Sequence, residues 1–187
     1  MTENGTPSAA ERLLDAASRL FYTRGVPNVG INEIIARAGV ARMTFYHHFP
    51  SKDDLIKAVL ERRREERAAW LERADGMAST PRGKVLAVFD LLDEWFAAPD
   101  YRGCPLVAAT FELGGQLNAA RPYARGHHEA VREYFTGRLQ EAGVADPEST
   151  AAQLHLLLEG ATVVALVQQG AAAAAAARAA AEKLLAD

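Results

Sequence analysis

The chain has 187 residues, 49% hydrophobic and 24% charged, with a net charge of −3. These values are ordinary for a soluble globular chain of one or two domains, and the slight negative charge argues against an indiscriminate nucleic-acid binder. The single cysteine, Cys104, excludes an intramolecular disulfide and fits a reducing cytoplasm, the expected location.

Charge is unevenly spread. Residues 1–74 hold 12 Lys+Arg and 10 Asp+Glu, and residues 75–187 hold 9 and 14, a mildly basic front on an acidic body. The opening MTENGTPSAAERL has no basic start leading into an apolar run, so no signal peptide is expected. No uninterrupted apolar segment reads as long enough to span a bilayer. Residues 1–8 read as a disordered arm.

Ser8 and Glu11 have the spacing of a capping box, opening a helix with Leu13, Leu14, Ala17, Leu20 and Phe21 on one stripe. Gly25 and Pro27 end it. Ile31, Ile34, Ile35 and Ala38 mark the apolar face of a second short helix, closed by Gly39, with Val40 as an anchor in the turn. A third short helix, from Ala41 to Phe49, follows. The segment Arg37 to Lys52 carries cations, hydroxyls and rings but no carboxylate, so it can approach a phosphate backbone without repulsion.

The stretch from about Glu11 to Leu60 resembles the N-terminal domain of TetR-family transcriptional regulators. Gly39-Val40, Thr44-Phe45-Tyr46, His48-Phe49 and Ser51-Lys52 carry the resemblance, with Ala16, Phe21, Gly25, Ile35, Ala36, Ala38 and Leu55 in support. It implies a helix, a helix-turn-helix and a long linking helix in that order. Many members carry Ser or Thr where this chain has Ala41, so that phosphate-holding or capping hydroxyl is missing. Arg42 and His47 are the candidates for base edges, Met43 for a thymine methyl, Thr44 and Tyr46 for phosphates. Lys52 would add a charged phosphate contact at a helix N-terminus, and His48 would either touch phosphate or pack. Phe45 and Phe49 read as core.

A fourth helix runs from Ser51 to about Ala74. Its ERRREER stretch, Glu61 to Arg67, reads as a solvated face with i,i+4 pairs such as Arg62–Glu66; the interleaved glutamates weigh against a DNA-contacting run. The domain boundary falls inside this helix and the following break, giving a DNA-binding domain at 9–60 and a regulatory and dimerisation domain at 61–187. Thr80-Pro81 opens a helix apolar over most of its circumference, hence central. A short helix Leu106 to Leu113 precedes Gly114-Gly115. Pro122 then opens a helix from Tyr123 to Ala142. Asp146-Pro147 opens another to about Gln169, and Gly170 separates it from a last helix, Ala171 to Ala186. The fold class is all-α, about nine helices.

Leu154, Leu157, Leu158, Ala161, Ala165 and Leu166 form an apolar stripe widened by Val163 and Val164. With Ala174 and Arg178 of the last helix, Leu154, Leu158, Ala161 and Ala165 are the candidate dimer contact; the alternative is that these helices finish the protomer core. The resemblance implies a four-helix interface from these two helices, and a two-fold dimer would set two reading helices about 34 Å apart on a near-palindromic operator. Phe89, Trp95, Phe96, Phe111, Tyr123, His127, Tyr134 and His155 are candidates for a pocket taking a small, largely apolar effector, although core packing is the commoner role for each. Cys104 reads better as a buried small hydrophobe than as a redox sensor.

No enzyme motif is present. His127-His128-Glu129, and His155 with Glu159 one turn on, are the nearest approach to acid–base or metal chemistry, and no metal or other cofactor is expected. The expected partners are an operator duplex, a second copy and an unidentified effector, with no membrane. Repression is the sign the resemblance favours; activation stays open, because the sign depends on where the operator lies relative to the promoter.

Overall fold

The structure, a computed structural model, describes residues 7–114, 119–168 and 172–186. Among these residues there are nine helices and no strand: α1 Ala9–Arg24, α2 Ile31–Ala38, α3 Arg42–His48, α4 Lys52–Gly76, α5 Pro81–Phe96, α6 Pro105–Glu112, α7 Arg121–Glu141, α8 Pro147–Gln168 and α9 Ala172–Ala186. The fold is all-α. Most of the expected arm, together with Gly115 and the break at Gly170, lies outside the described residues.

The chain forms two compact units. The head comprises Met1–Arg63 with Pro105–Tyr123, and the body Arg64–Cys104 with Ala124–Asp187. The units part within α4. Residues 105–123 go with the head, which the linear division at residue 60 does not anticipate.

In the head, the Ser8 Oγ accepts from the Glu11 N–H at 3.2 Å, and the Ser8 N–H donates to the Glu11 carboxylate at 2.6 Å. This capping box fixes the start of α1. Leu13, Ala17, Leu20 and Phe21 turn inward and are buried with Ile34, Phe45, Leu55 and Val59. The Arg12 Nε donates to the Ala38 carbonyl at 3.2 Å, tying α1 to the end of α2. At the start of α4, the Ser51 Oγ accepts from the Asp54 N–H at 3.1 Å. Arg62 reaches Asp15 at 2.6 Å and the Leu14 carbonyl at 3.3 Å, a longer-range link than the helix-surface pair expected for it.

Gly25 joins α1 to the loop before α2 at φ +80°. An added Cβ would lie 3.1 Å from Glu112 Oε1. Backbone angle and close approach together call for glycine here. The neighbouring Val26 N–H donates to Glu112 Oε2 at 2.7 Å, so α6 is bonded to the α1–α2 loop within the head.

In the body, Thr80 caps α5 by accepting from the Gly83 N–H at 3.1 Å, with Pro81 in the first turn. Val85, Val88, Phe89, Leu91 and Leu92 are buried around α5, the central helix. Phe89 stacks on Phe135 of α7, ring centroids 6.2 Å apart. Ala173, Ala174, Ala177 and Ala181 are buried on α9, where short side chains let that helix lie close against α5 and α8. Arg178 is held by Asp90 at 2.5 Å and by Glu182.

Two expectations are corrected here. Leu154, Leu158, Ala161, Ala165 and Ala174, read as dimer contacts, are all buried in the protomer's own core, because that stripe of α8 and α9 faces α5. Also, α8 is long and apolar enough to cross a membrane, with a mean hydropathy of 1.5 over its best window. Its apolarity divides between this inward stripe and a second, exposed one.

Candidate nucleic-acid interface and effector cavity

The reading helix is built by a sharp turn. Gly39 adopts the left-handed conformation, φ +63° and ψ 42°, and donates to the Ile35 and Ala36 carbonyls, ending α2. Two residues later Ala41 stands as the N-cap of α3 and offers no side-chain acceptor to the first-turn N–H groups. Those amides therefore stay available to an outside anion. Phe45 is 0% exposed and packs edge-on near Tyr46 and beside buried Phe49, so one face of α3 is fixed to the head.

The opposite face is exposed: Arg42, Met43, Tyr46, His47 and His48, with Thr44 half-buried. Met43 is 79% exposed and stands on this same face. The Arg42 guanidinium donates to Asn32 at 3.3 Å and sits 5.7 Å from the Tyr46 ring, which holds it at the N-terminal end of α3. Lys52 is differently placed from a free phosphate contact. Its ammonium donates to the Val26 carbonyl at 2.8 Å over the Phe21 ring, and burial lowers its pKa. It anchors the head and has further donors left for a phosphate.

The body holds a small cavity of about 10 Å³, lined by Arg67, Trp70, Trp95, Cys104, His127, Val131, Leu158, Glu159 and Thr162. That is room for about one water molecule. Of the eight residues expected around an effector, Trp95 and His127 line it. Phe89 and Phe96 are buried in the core instead, and Tyr134 is half-buried with its hydroxyl toward the Lys84 carbonyl at 3.4 Å. Phe111 is 81% exposed, and Phe111 and Tyr123 belong to the head. His155 stands beside Glu159. Long helices bring together residues remote in sequence, which is why Arg67, Trp70, Val131, Leu158, Glu159 and Thr162 carried no sequence signal as a group.

Electrostatics in the cavity are set by burial. It pushes His127 down to about 4, helped by the nearby charge of Arg67, so this ring is neutral at neutral pH. Burial also lowers His128. For Glu159 burial acts upward, but the His155 and His128 imidazoles more than offset it, and the carboxylate stays ionised. The Arg67 guanidinium lies 3.7 Å from the centre of the Trp95 ring, a close cation–π stack. Cys104 is buried in the wall.

A head whose α1–α3 display a short, cationic, carboxylate-free helix, together with a helical body, defines a helix-turn-helix DNA-binding regulator. Comparison with known proteins narrows this. Residues 13–59 match the family of bacterial regulatory proteins of the tetR type, and residues 81–181 match the C-terminal domain of LmrA/YxaF-like transcriptional regulators. The chain belongs to the TetR family of transcriptional regulators. It is 43% identical over 149 residues to Rv1255c of Mycobacterium tuberculosis, an uncharacterized HTH-type transcriptional regulator, covering 76% of this chain and 67% of that one. It is 27% identical over 165 residues to the HTH-type transcriptional regulator LmrA of Bacillus subtilis, covering 83% and 85%. The crystal structure of SCO4454, a TetR-family regulator from Streptomyces coelicolor, superposes with a TM-score of 0.89 at 30% identity, covering 96% of this chain and 95% of that one. These relatives are regulators rather than enzymes, and so is this protein.

Proposed function

We propose that this protein is a cytoplasmic repressor that binds a near-palindromic operator as a homodimer and is released by a small, largely apolar effector. The observation that carries the DNA-binding part is the exposed face of α3. Cations, hydroxyls, imidazoles and an exposed methionine stand there with no carboxylate from Arg37 to Lys52, on a helix fixed from behind by Phe45. Such a face suits the major groove, where Arg42 would read guanine and Met43 a thymine methyl.

The dimer reading is supported by the second stripe of α8. Leu156 is 71% exposed, Val163 57%, Val164 40% and Val167 75%, at helical spacing along one face. Gly160 lies among them with open space where a Cβ would stand, so a second helix can come close. A groove lined by Gln153, Leu156, Leu157, Ala180, Lys183 and Leu184 continues this apolar surface toward α9. A contiguous exposed apolar patch of this kind favours a partner, and a two-fold related copy supplies an identical stripe.

The effector reading rests on the cavity between Trp70 and Trp95, whose rings suit an aromatic guest while Glu159, His127 and Thr162 supply polar contacts. A ligand of ordinary size needs several hundred Å³, so binding must open the cavity. Chain connectivity offers a route outward: Cys104 lines the cavity, and the next residue begins α6, whose Glu112 bonds the Val26 N–H in the head. The test is footprinting on a selected duplex combined with transcription in vitro. Two protected half-sites about 34 Å apart and reduced transcription are expected. A single half-site, or increased transcription, would count against the dimer or the sign respectively.

A further inference from the structure

We propose that His128, His155 and Glu159 form a binding site for a divalent transition-metal ion of the zinc class. His128 comes from α7, and His155 and Glu159 stand one turn apart on α8, so no sequence spacing reveals the trio. The two histidine Nε2 atoms lie 3.6 and 3.7 Å from the same Glu159 Oε1. Those separations are too long for hydrogen bonds. Both Nε2 atoms are sealed from solvent and, among the described residues, have no hydrogen-bond partner. Buried imidazole nitrogens that face a carboxylate but make no hydrogen bond are uncommon and call for an occupant.

One ligand atom from each residue lies within 4.8 Å of the other two. A tetrahedral zinc ion with bonds of about 2.0–2.1 Å needs its ligands about 3.4 Å apart, so the widest pair must close by at most about 1.4 Å. Two imidazoles and one carboxylate suit zinc, nickel or copper rather than magnesium or calcium, which favour all-oxygen sets. With three protein ligands, a further coordination position remains for water or a small donor. The ion would tie α7 to α8 and stiffen the body around the cavity.

The experiment is a zinc titration of tag-free, full-length protein against a competing chromogenic chelator, with magnesium as control and a thermal melt alongside. About one zinc ion per chain is expected, with a rise in melting temperature on the order of 5 °C at saturating metal. Glu159→Gln keeps the side-chain shape and should weaken zinc at least about tenfold, as should His155→Gln. A His47→Asn/His48→Asn variant controls for the exposed imidazole pair of α3 and should bind zinc as the parent does. No bound zinc at micromolar protein, undiminished binding by both body variants, or loss confined to the α3 variant would each overturn the proposal. DNA retention by the same samples reports separately on the operator-binding reading.

Discussion

Replacing Val163 and Val167 with serine should split the dimer without unfolding the protomer. The two side chains are 57% and 75% exposed, so almost nothing in the protomer depends on them. Fully burying a valine contributes about 1.5–3 kcal/mol, so covering the exposed fractions contributes about 2–4 kcal/mol per protomer. Two-fold symmetry doubles this. Taking the low end, about 4 kcal/mol, dimer dissociation should strengthen roughly a thousandfold. Sedimentation equilibrium from nanomolar to micromolar protein measures the shift, and far-ultraviolet circular dichroism checks that helix content holds. The contrasting change is Leu158→Ser. Leu158 is 4% exposed and faces the core, so this variant should lose stability by about 2–5 kcal/mol rather than dissociate cleanly. A double-serine variant that stays dimeric with unchanged affinity would refute the assignment of this stripe, and a monomeric parent protein would refute the dimer itself.

Arg42→Ala should lose about 1–3 kcal/mol of operator affinity and relax sequence preference, whereas Lys52→Ala should weaken binding to all duplexes alike. Competition gel shifts with matched and scrambled duplexes separate the two. Lys52→Ala should also lower head stability, because its ammonium bonds the Val26 carbonyl. Gly25→Ala should destabilise the head by about 1–3 kcal/mol, since it combines a positive φ with a close approach to Glu112. Urea unfolding of the full chain reads that loss. Phe45→Ala should cost about 3–5 kcal/mol and abolish DNA binding through loss of α3's seat, as seen by the same unfolding curve and gel shift.

Local signals told the most in this sequence. Ser8 with Glu11, Gly39, Ser51 and Thr80-Pro81 each fix a helix end through contacts within a few residues, and the helices begin and end within a residue or two of where these signals put them. The face of α3 was legible for the same reason, since Phe45 and the flanking Phe49 turn inward and leave the polar residues outside. Packing choices between distant helices were not legible. Helix α8 carries apolar residues on two faces, and only the position of α5 and α9 shows that Leu154 and Leu158 turn inward while Leu156 and Val167 stay outside. The aromatic candidates for an effector site failed to gather for a similar reason. Phe89 and Phe96 serve the core around α5, and Phe111 sits on α6 in the other unit. Helix α6 belongs to the head, where Glu112 reaches Val26 across 86 positions, a contact with no periodic signature.

The central claim is that this protein reads duplex sequence through α3. The direct measurement is selection from a pool of genomic and random duplexes by the pure, full-length protein, with excess competitor DNA at moderate salt. Enrichment of one near-palindromic sequence, lost with Arg42→Ala and falling in affinity as salt rises, is the predicted result. Retention of no duplex over competitor, or equal enrichment by the Arg42→Ala protein, would contradict it.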